Sequence, residues 1–226
     1  MCGRFALFAT PVEVGDLFAA PAPPELPPRY NIAPTQAVLA CRAELATSAR
    51  ALVPLRWGLA LSWAKDLSAG VKAINARAET VADKPTFRAA FKARRCLIPA
   101  SGYYEWKHER KTKRPHFIHP ADGRLFAFAA LWDVWTKGAE PVESCSIITT
   151  TANEATRHLH ERMPVILDRE HFAVWLDALT PAPALHELLR PCPPERVAYH
   201  PVGAAVGNVR NDGPELVAPS ASRFTT

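Results

Sequence analysis

The sequence predicts an α+β fold: a single domain built on a curled, mainly antiparallel β-sheet or barrel, flanked by short helices. Two observations carry that expectation. Runs rich in β-branched and aromatic residues outnumber amphipathic helical stretches, and they do not alternate with them as a doubly wound parallel sheet requires. Proline is abundant, 22 of 226 residues, roughly double ordinary usage. It is scattered between apolar runs, so it marks short elements and fixed turns. The length suits one large domain, expected over residues 1–217, with 218–226 reading as a frayed tail.

Taken in order, residues 11–19 read as a short helix with Pro11 in its first turn and Val14, Leu17 and Phe18 on one face. The proline-rich stretch 21–28 is a loop leading into Arg29-Tyr30-Asn31-Ile32-Ala33-Pro34. Strands are expected at Val38–Arg42, Ala51–Trp57, Lys72–Asn75, Cys96–Pro99, Tyr103–Lys107, His116–His119, Leu125–Leu131, Ser144–Thr150 and Val197–Pro201. Further helices are expected at 84–93, 152–162, 169–178 and 183–190. Thr151-Ala152-Asn153-Glu154 fits a capping box, which would put His158 and His160 on a helix ending before Pro164. Asp168 reads as the cap of the next helix, whose apolar stripe is Phe172, Trp175 and Leu176.

Composition narrows the function classes. Apolar content of 48% and charged content of 22% are ordinary for a globular chain. The net charge of +5 favours anionic partners without naming one. Five cysteines, without a CxxC pair or zinc-like spacing, indicate neither a disulfide framework nor a metal site. The apolar segment Phe5–Val12 behind Arg4 faintly imitates a signal peptide, but Glu13 and Asp16 interrupt it. No stretch has the apolar length of a membrane span. The expectation is a cytoplasmic monomer with no membrane association and no cofactor.

One cysteine differs chemically from the rest. Cys2 follows the initiator, and removal of Met1 would leave a free α-amine and a thiol on adjacent carbons. The amine, of reference pKa about 7.7–8.0, condenses with an aldehyde to an imine, and the thiol then adds to the same carbon, closing a thiazolidine ring. Cys41, Cys96, Cys145 and Cys192 have amide nitrogens and cannot do this. By position alone, Cys2 also reads as a small buried residue near a terminus. Asn75, in INARAET, also reads as a turn cap; Glu105, in SGYYEW, as a solvent-facing strand residue; and His160, in HLHERMP, as a surface histidine.

The strings MCGR, RYNIAPTQ, LRWGL, INARAET, CLIPASGYYEW, TTTAN, HERMPVIL and NVRNDGPEL, in that order over nearly the whole chain, resemble the SOS response-associated peptidase (SRAP) family. Its members are abasic-site processing proteins. The resemblance implies capture of abasic sites in single-stranded DNA, with Cys2, Asn75, Glu105 and His160 as the catalytic group. It places Asn75 beside the amino terminus to orient the Cys2 amine. Glu105 would shuttle protons during sugar opening and imine formation, its pKa raised by Tyr104 and Trp106. His160 would act as general acid–base or hold the deoxyribose oxygen, and in the family it is tied to reversal of the adduct. The bound protein would then be associated with the nucleoid.

For the DNA itself, Arg4, Arg77 and Arg162 lie within a few residues of the catalytic positions and suit phosphate clasping. Thr149 would add a hydroxyl contact, and Trp63 reads either as an aromatic wedge beside the gap or as core. Lys107, Arg110, Lys111, Lys113 and Arg114 form a basic run on a hairpin loop, while Trp57, Trp132, Trp135 and Trp175 read as core. Two other readings stay open from the sequence. One is an N-terminal-cysteine hydrolase of glutamine amidotransferase type. The other is a non-covalent single-stranded-DNA-binding module. The peptidase label fits self-removal of Met1 or release of the DNA-linked protein better than general proteolysis.

Overall fold

A computed structural model describes residues 2–44, 47, 49–67, 70, 73–109 and 112–220, with residue 109 described by its backbone only. Two sheets dominate. The first runs β12 (Val197–Pro201), β8 (Thr112–Pro120), β7 (Gly102–Glu109), β1 (Phe5–Leu7), β2 (Arg29–Ile32). The second runs β11 (Arg162–Pro164), β10 (Val142–Thr151), β4 (Arg50–Trp57), β3 (Ala37–Ala43), β6 (Arg95–Ala100), β9 (Phe126–Trp135). Because β9 also pairs with β10, the path β10-β4-β3-β6-β9 closes on itself and buries its edges. Pairing is antiparallel except where β10 meets β4 and β5 (Asn75–Arg77) in parallel. The expected curled, mainly antiparallel α+β architecture is what the chain adopts.

Alternation on the first sheet explains how it joins the core. Phe5, Leu7 and Tyr103 face the main core, while Ala6 and Tyr104 face a smaller cluster with Phe117, Val202, Val206 and Leu216. Both faces are therefore covered. Close packing at the β1–β7–β8 junction depends on Gly102, where a Cβ would fall 2.4 Å from the Phe117 ring and 2.6 Å from the Ile118 carbonyl. Trp57 and Trp175 are fully buried, and Trp132 and Trp135 nearly so, as expected.

Helix α1 (Pro11–Phe18) carries a complete capping box between Thr10 and Glu13. The other helices, α2 (Arg88–Ala93), α3 (Phe172–Leu176) and α4 (Ala182–Glu187), are shorter than the expected spans. Asp168 does precede the next helical turn, but its side chain pairs with Arg196 and caps nothing.

The helix expected over 152–162 does not form. Asn153 Oδ1 accepts from the Thr156 N–H, and two separate turns follow, closed on Asn153 and Thr156. The reason is the ladder on either side: Thr151 lies opposite Arg162, so the segment is a hairpin connection that must return in register to β10. The strand expected at Lys72–Asn75 begins instead at Asn75, with residues 71 and 72 outside the described set. β1, β2 and β11 were not expected as strands. In the expected tail, Ser220 N–H donates to Pro201 O and Pro219 bridges Val202, while 221–226 lie outside the described residues.

Candidate active site

The sheets meet where β1 begins, and four elements converge on Cys2. β7 continues past its last contact with the β1 side, the Tyr104 N–H to the Arg4 carbonyl, so Glu105 emerges beside Cys2. Parallel pairing of β5 with β10 (Asn75 opposite Ile147) brings Asn75 to the same place, and its Nδ2 donates to the Cys2 carbonyl at 2.8 Å. The 153–160 turns carry His160 to the rim of a cavity of about 380 Å³, lined by Glu105, Trp106, His108, Lys113, His160 and Gly207. The structure thus gathers Cys2, Asn75, Glu105 and His160 at one site.

Three of these four groups are displaced from their ordinary titration. Cys2 is fully buried in the chain that carries Met1. Burial, then the Glu105 charge, push its thiol well above the ordinary range, with the positive chain terminus and the Arg4 backbone N–H acting the other way. Burial raises the Glu105 carboxyl, opposed chiefly by the terminal positive charge. Burial lowers His160, with the terminal positive charge working in the same direction. The Arg162 backbone N–H donates to His160 Nδ1 at 2.9 Å, so the neutral ring carries its proton on Nε2. Asn75 Oδ1 is buried with no hydrogen-bond partner among the described residues.

The expected DNA contacts divide into two groups. Arg77 on β5 is exposed, and Trp63 is 62% exposed on a turn, with Lys137 Nζ on its carbonyl at 2.7 Å. Arg4 is half-buried, donating to Asn31 Oδ1 and the Val206 carbonyl at 2.8 Å each, its guanidinium 5.9 Å from the Trp106 ring centre. Thr149 is fully buried with its Oγ1 3.4 Å from the Ala76 carbonyl. Arg162 is also buried, gripping both Glu79 oxygens at 2.6 and 3.0 Å. The Thr149 hydroxyl and the Arg162 fork are thus turned inward, onto the Ala76 carbonyl and Glu79.

Sequence reasoning missed His108, Gly207 and Tyr103. The first two line the cavity, and no spacing in the sequence marked them. Tyr103 had a signal, since it stands two residues before Glu105 on the same strand face. The fully buried Tyr103 phenol feels the charges of Cys2 and Glu105 after the larger effect of its own burial. Within the basic run, Lys107–Glu109 and Thr112–Arg114 pair as a hairpin, while 110 and 111 lie outside the described residues. No group of three or more potential metal ligands occurs among the described residues, nor any helix long and apolar enough to cross a membrane.

Known proteins resemble this chain over nearly its whole length. The abasic site processing protein YoaM of Bacillus subtilis is 41% identical over 223 residues, covering 96% of this chain and 97% of that protein. The abasic site processing protein YedK of Escherichia coli is 33% identical, covering 97% and 100%. A crystal structure of a Bordetella bronchiseptica protein superposes with a TM-score of 0.79 at 27% identity, covering 89% of this chain and all of that one. The family model described as SOS response associated peptidase (SRAP) matches residues 1–209, and the chain belongs to that family.

Proposed function

We propose that this protein captures abasic sites in single-stranded DNA as a covalent thiazolidine on Cys2 once Met1 has been removed. The observation that carries the reading is the Asn75 hydrogen bond to the carbonyl of buried Cys2, whose thiol feels the charge of Glu105, a residue that lines the cavity with His160. Relatives named abasic site processing proteins support the substrate. A cavity of this volume admits a sugar that has lost its base, and a flexible single strand can turn that sugar inward.

In the proposed sequence, His160 Nε2–H hydrogen-bonds the deoxyribose ring oxygen as the ring opens, and the C1′ hydroxyl proton passes through water to that oxygen, leaving an aldehyde at C1′ and a hydroxyl at C4′. The unprotonated Cys2 amine attacks that carbon, positioned through the Asn75 contact. Glu105, whose carboxyl burial pushes up, protonates the departing hydroxyl; water leaves, and the carboxylate takes a proton back from the nitrogen to give the imine. The Cys2 sulfur then adds to C1′ while its proton passes to the imine nitrogen. Protein and DNA combine with loss of one water. A thiol kept protonated by burial suits this order, because amine attack comes first and the sulfhydryl supplies the proton that the nitrogen needs.

Release of the DNA by reversal, strand cleavage through the imine, and self-removal of Met1 belong to the same site in this reading. The deciding experiment incubates Met1-free protein with an abasic oligonucleotide, denatures it and weighs the product. The expected mass is the sum of both minus one water, with the DNA on Cys2. Attachment at an internal lysine, or equal yield from protein retaining Met1, overturns the proposal.

A further inference from the structure

Arg162 sits beside the site yet is turned away from solvent. Its guanidinium grips Glu79 with both Nη atoms, and Nη2 also donates to the Thr149 carbonyl at 2.6 Å. Its Nε is buried with no partner among the described residues. A buried cation left without a counter-charge is strongly disfavoured, so this arginine always needs an anion. Glu79 fills that need in the DNA-free protein, and the Arg162 hydrogen bonds hold its carboxyl below the usual range. The two partners are unlike in exposure: the Arg162 side chain is 9% exposed and Glu79 47%. Glu79 can therefore swing into water at little cost while the arginine stays in place. The exposed Arg77, whose charge also acts on Glu79, stands opposite Thr149 in the β5–β10 register.

We infer that Glu79 is a specificity-determining residue: a carboxylate that occupies the Arg162 fork in place of a DNA phosphate and must be displaced when a strand binds. The inference rests on the proposed reading of the site. Its consequence is selectivity. Backbone phosphates are the same in damaged and intact DNA, and phosphate contacts supply most non-specific affinity. A built-in competitor lowers affinity for intact strands, while lesion-bearing strands are retained by the bond to Cys2. Glu79 touches no reacting atom in this scheme, so it sets binding and leaves the chemical step alone.

The test compares wild type with Glu79→Gln, which keeps the shape and removes the charge. Affinity for intact single-stranded DNA is measured by fluorescence anisotropy at several salt concentrations, and adduct formation at saturating abasic DNA. Glu79→Gln should bind intact DNA about threefold to tenfold more tightly. Its salt dependence should match wild type, because the same Arg162–phosphate contact forms in both proteins, with the saturating adduct rate unchanged. Equal or weaker binding overturns the inference, as does a slope steeper by about 0.7, which would mean that wild type leaves Glu79 in the fork. A measurement on wild type needs no substitution: guanidinium NMR signals of Arg162 should shift when intact DNA is added, and static signals also overturn it. Absence of any wild-type adduct would instead count against the proposed reading of the site.

Discussion

The two ends of strand β1 carry two cavities, and they differ in kind. At the Cys2 end lies the opening of about 380 Å³. Beyond Phe8 lies a larger one of about 800 Å³, lined among others by Phe117, Leu125 and Phe172. In the larger cavity the charges answer one another: Arg196 pairs with Asp168, Arg124 with Asp122, and Arg169 donates to the Asp16 carbonyl. No buried side-chain polar atom lacking a partner among the described residues lines it. At the smaller cavity the Glu105 carboxyl is pushed up and the His160 imidazole down; nearby, the buried Cys2 thiol is pushed up and Asn75 Oδ1 has no partner among the described residues. Groups held away from their preferred protonation state mark chemistry better than volume does.

The thiols make the same point, and the largest expected effect tests it. All five cysteines are free and buried. Burial pushes Cys41 up to about 12 and Cys192 up to about 11, so a raised thiol does not single out Cys2. Its position and neighbours do. Cys2→Ala should abolish the adduct that survives denaturation, while an imine trapped by borohydride persists through the remaining amine. Cys192→Ala should keep wild-type adduct yield. Equal loss in both would mean that the fold, and not the Cys2 site, was being disturbed.

Glu105→Gln comes next, with opposite effects on rate and stability. Adduct formation should fall about 10²-fold or more, the usual contribution of a positioned acid–base group. A carboxyl whose pKa is raised in the fold binds its proton more tightly there than in the unfolded chain. Stability therefore declines as pH rises from the ordinary glutamate range through the raised value. Above the raised value the glutamine variant escapes that penalty, so its melting temperature should gain on wild type as pH rises. A variant that loses both rate and stability would make Glu105 a structural strut.

His160→Gln should slow adduct formation by about 10²-fold, the lower end for a positioned general acid–base group. In wild type the His160 ring should titrate below the ordinary imidazole range, because burial disfavours its charge. The neutral ring accepts the Arg162 N–H at Nδ1, so the stability it contributes is present above the unfolded pKa and lost as pH falls through the lowered one. An NMR titration with a midpoint at or above about 6.5 would contradict that assignment.

Much of the fold was legible because most strands are long enough to show a pattern. β3, β4, β6–β10 and β12 were each anticipated within a few residues. β1, β2 and β11 are three or four residues long and have too few positions to display alternation. The 152–162 segment failed for another reason: Asn153 supplies a true cap, but the register of β10 with β11 leaves no room for a helix. The four catalytic candidates were legible through ordered motifs, since their convergence runs through pairings such as Asn75 with Ile147 that spacing cannot reveal. Glu79 escaped notice because its partner lies 83 residues away.

The smallest expected effect falls at the larger cavity, and it tests the opening comparison hardest. Arg124 lines that cavity, its side chain is 85% exposed, and its ion pair with Asp122 is a surface contact. Such pairs contribute little, so Arg124→Gln should change stability by no more than about 0.5 kcal/mol. Adduct formation at subsaturating abasic DNA should stay within about twofold of wild type, since removing one remote exposed charge is largely screened at physiological salt. Three extended residues of β1, with their flanks, separate Phe8 from Cys2 by roughly 20 Å. That distance spans only a few nucleotides of an extended strand, so a long substrate has the reach to touch both ends. A tenfold loss with a long oligonucleotide, absent with one of a few nucleotides, would show that the strand runs along β1 to the larger cavity. The two ends would then be parts of one DNA path.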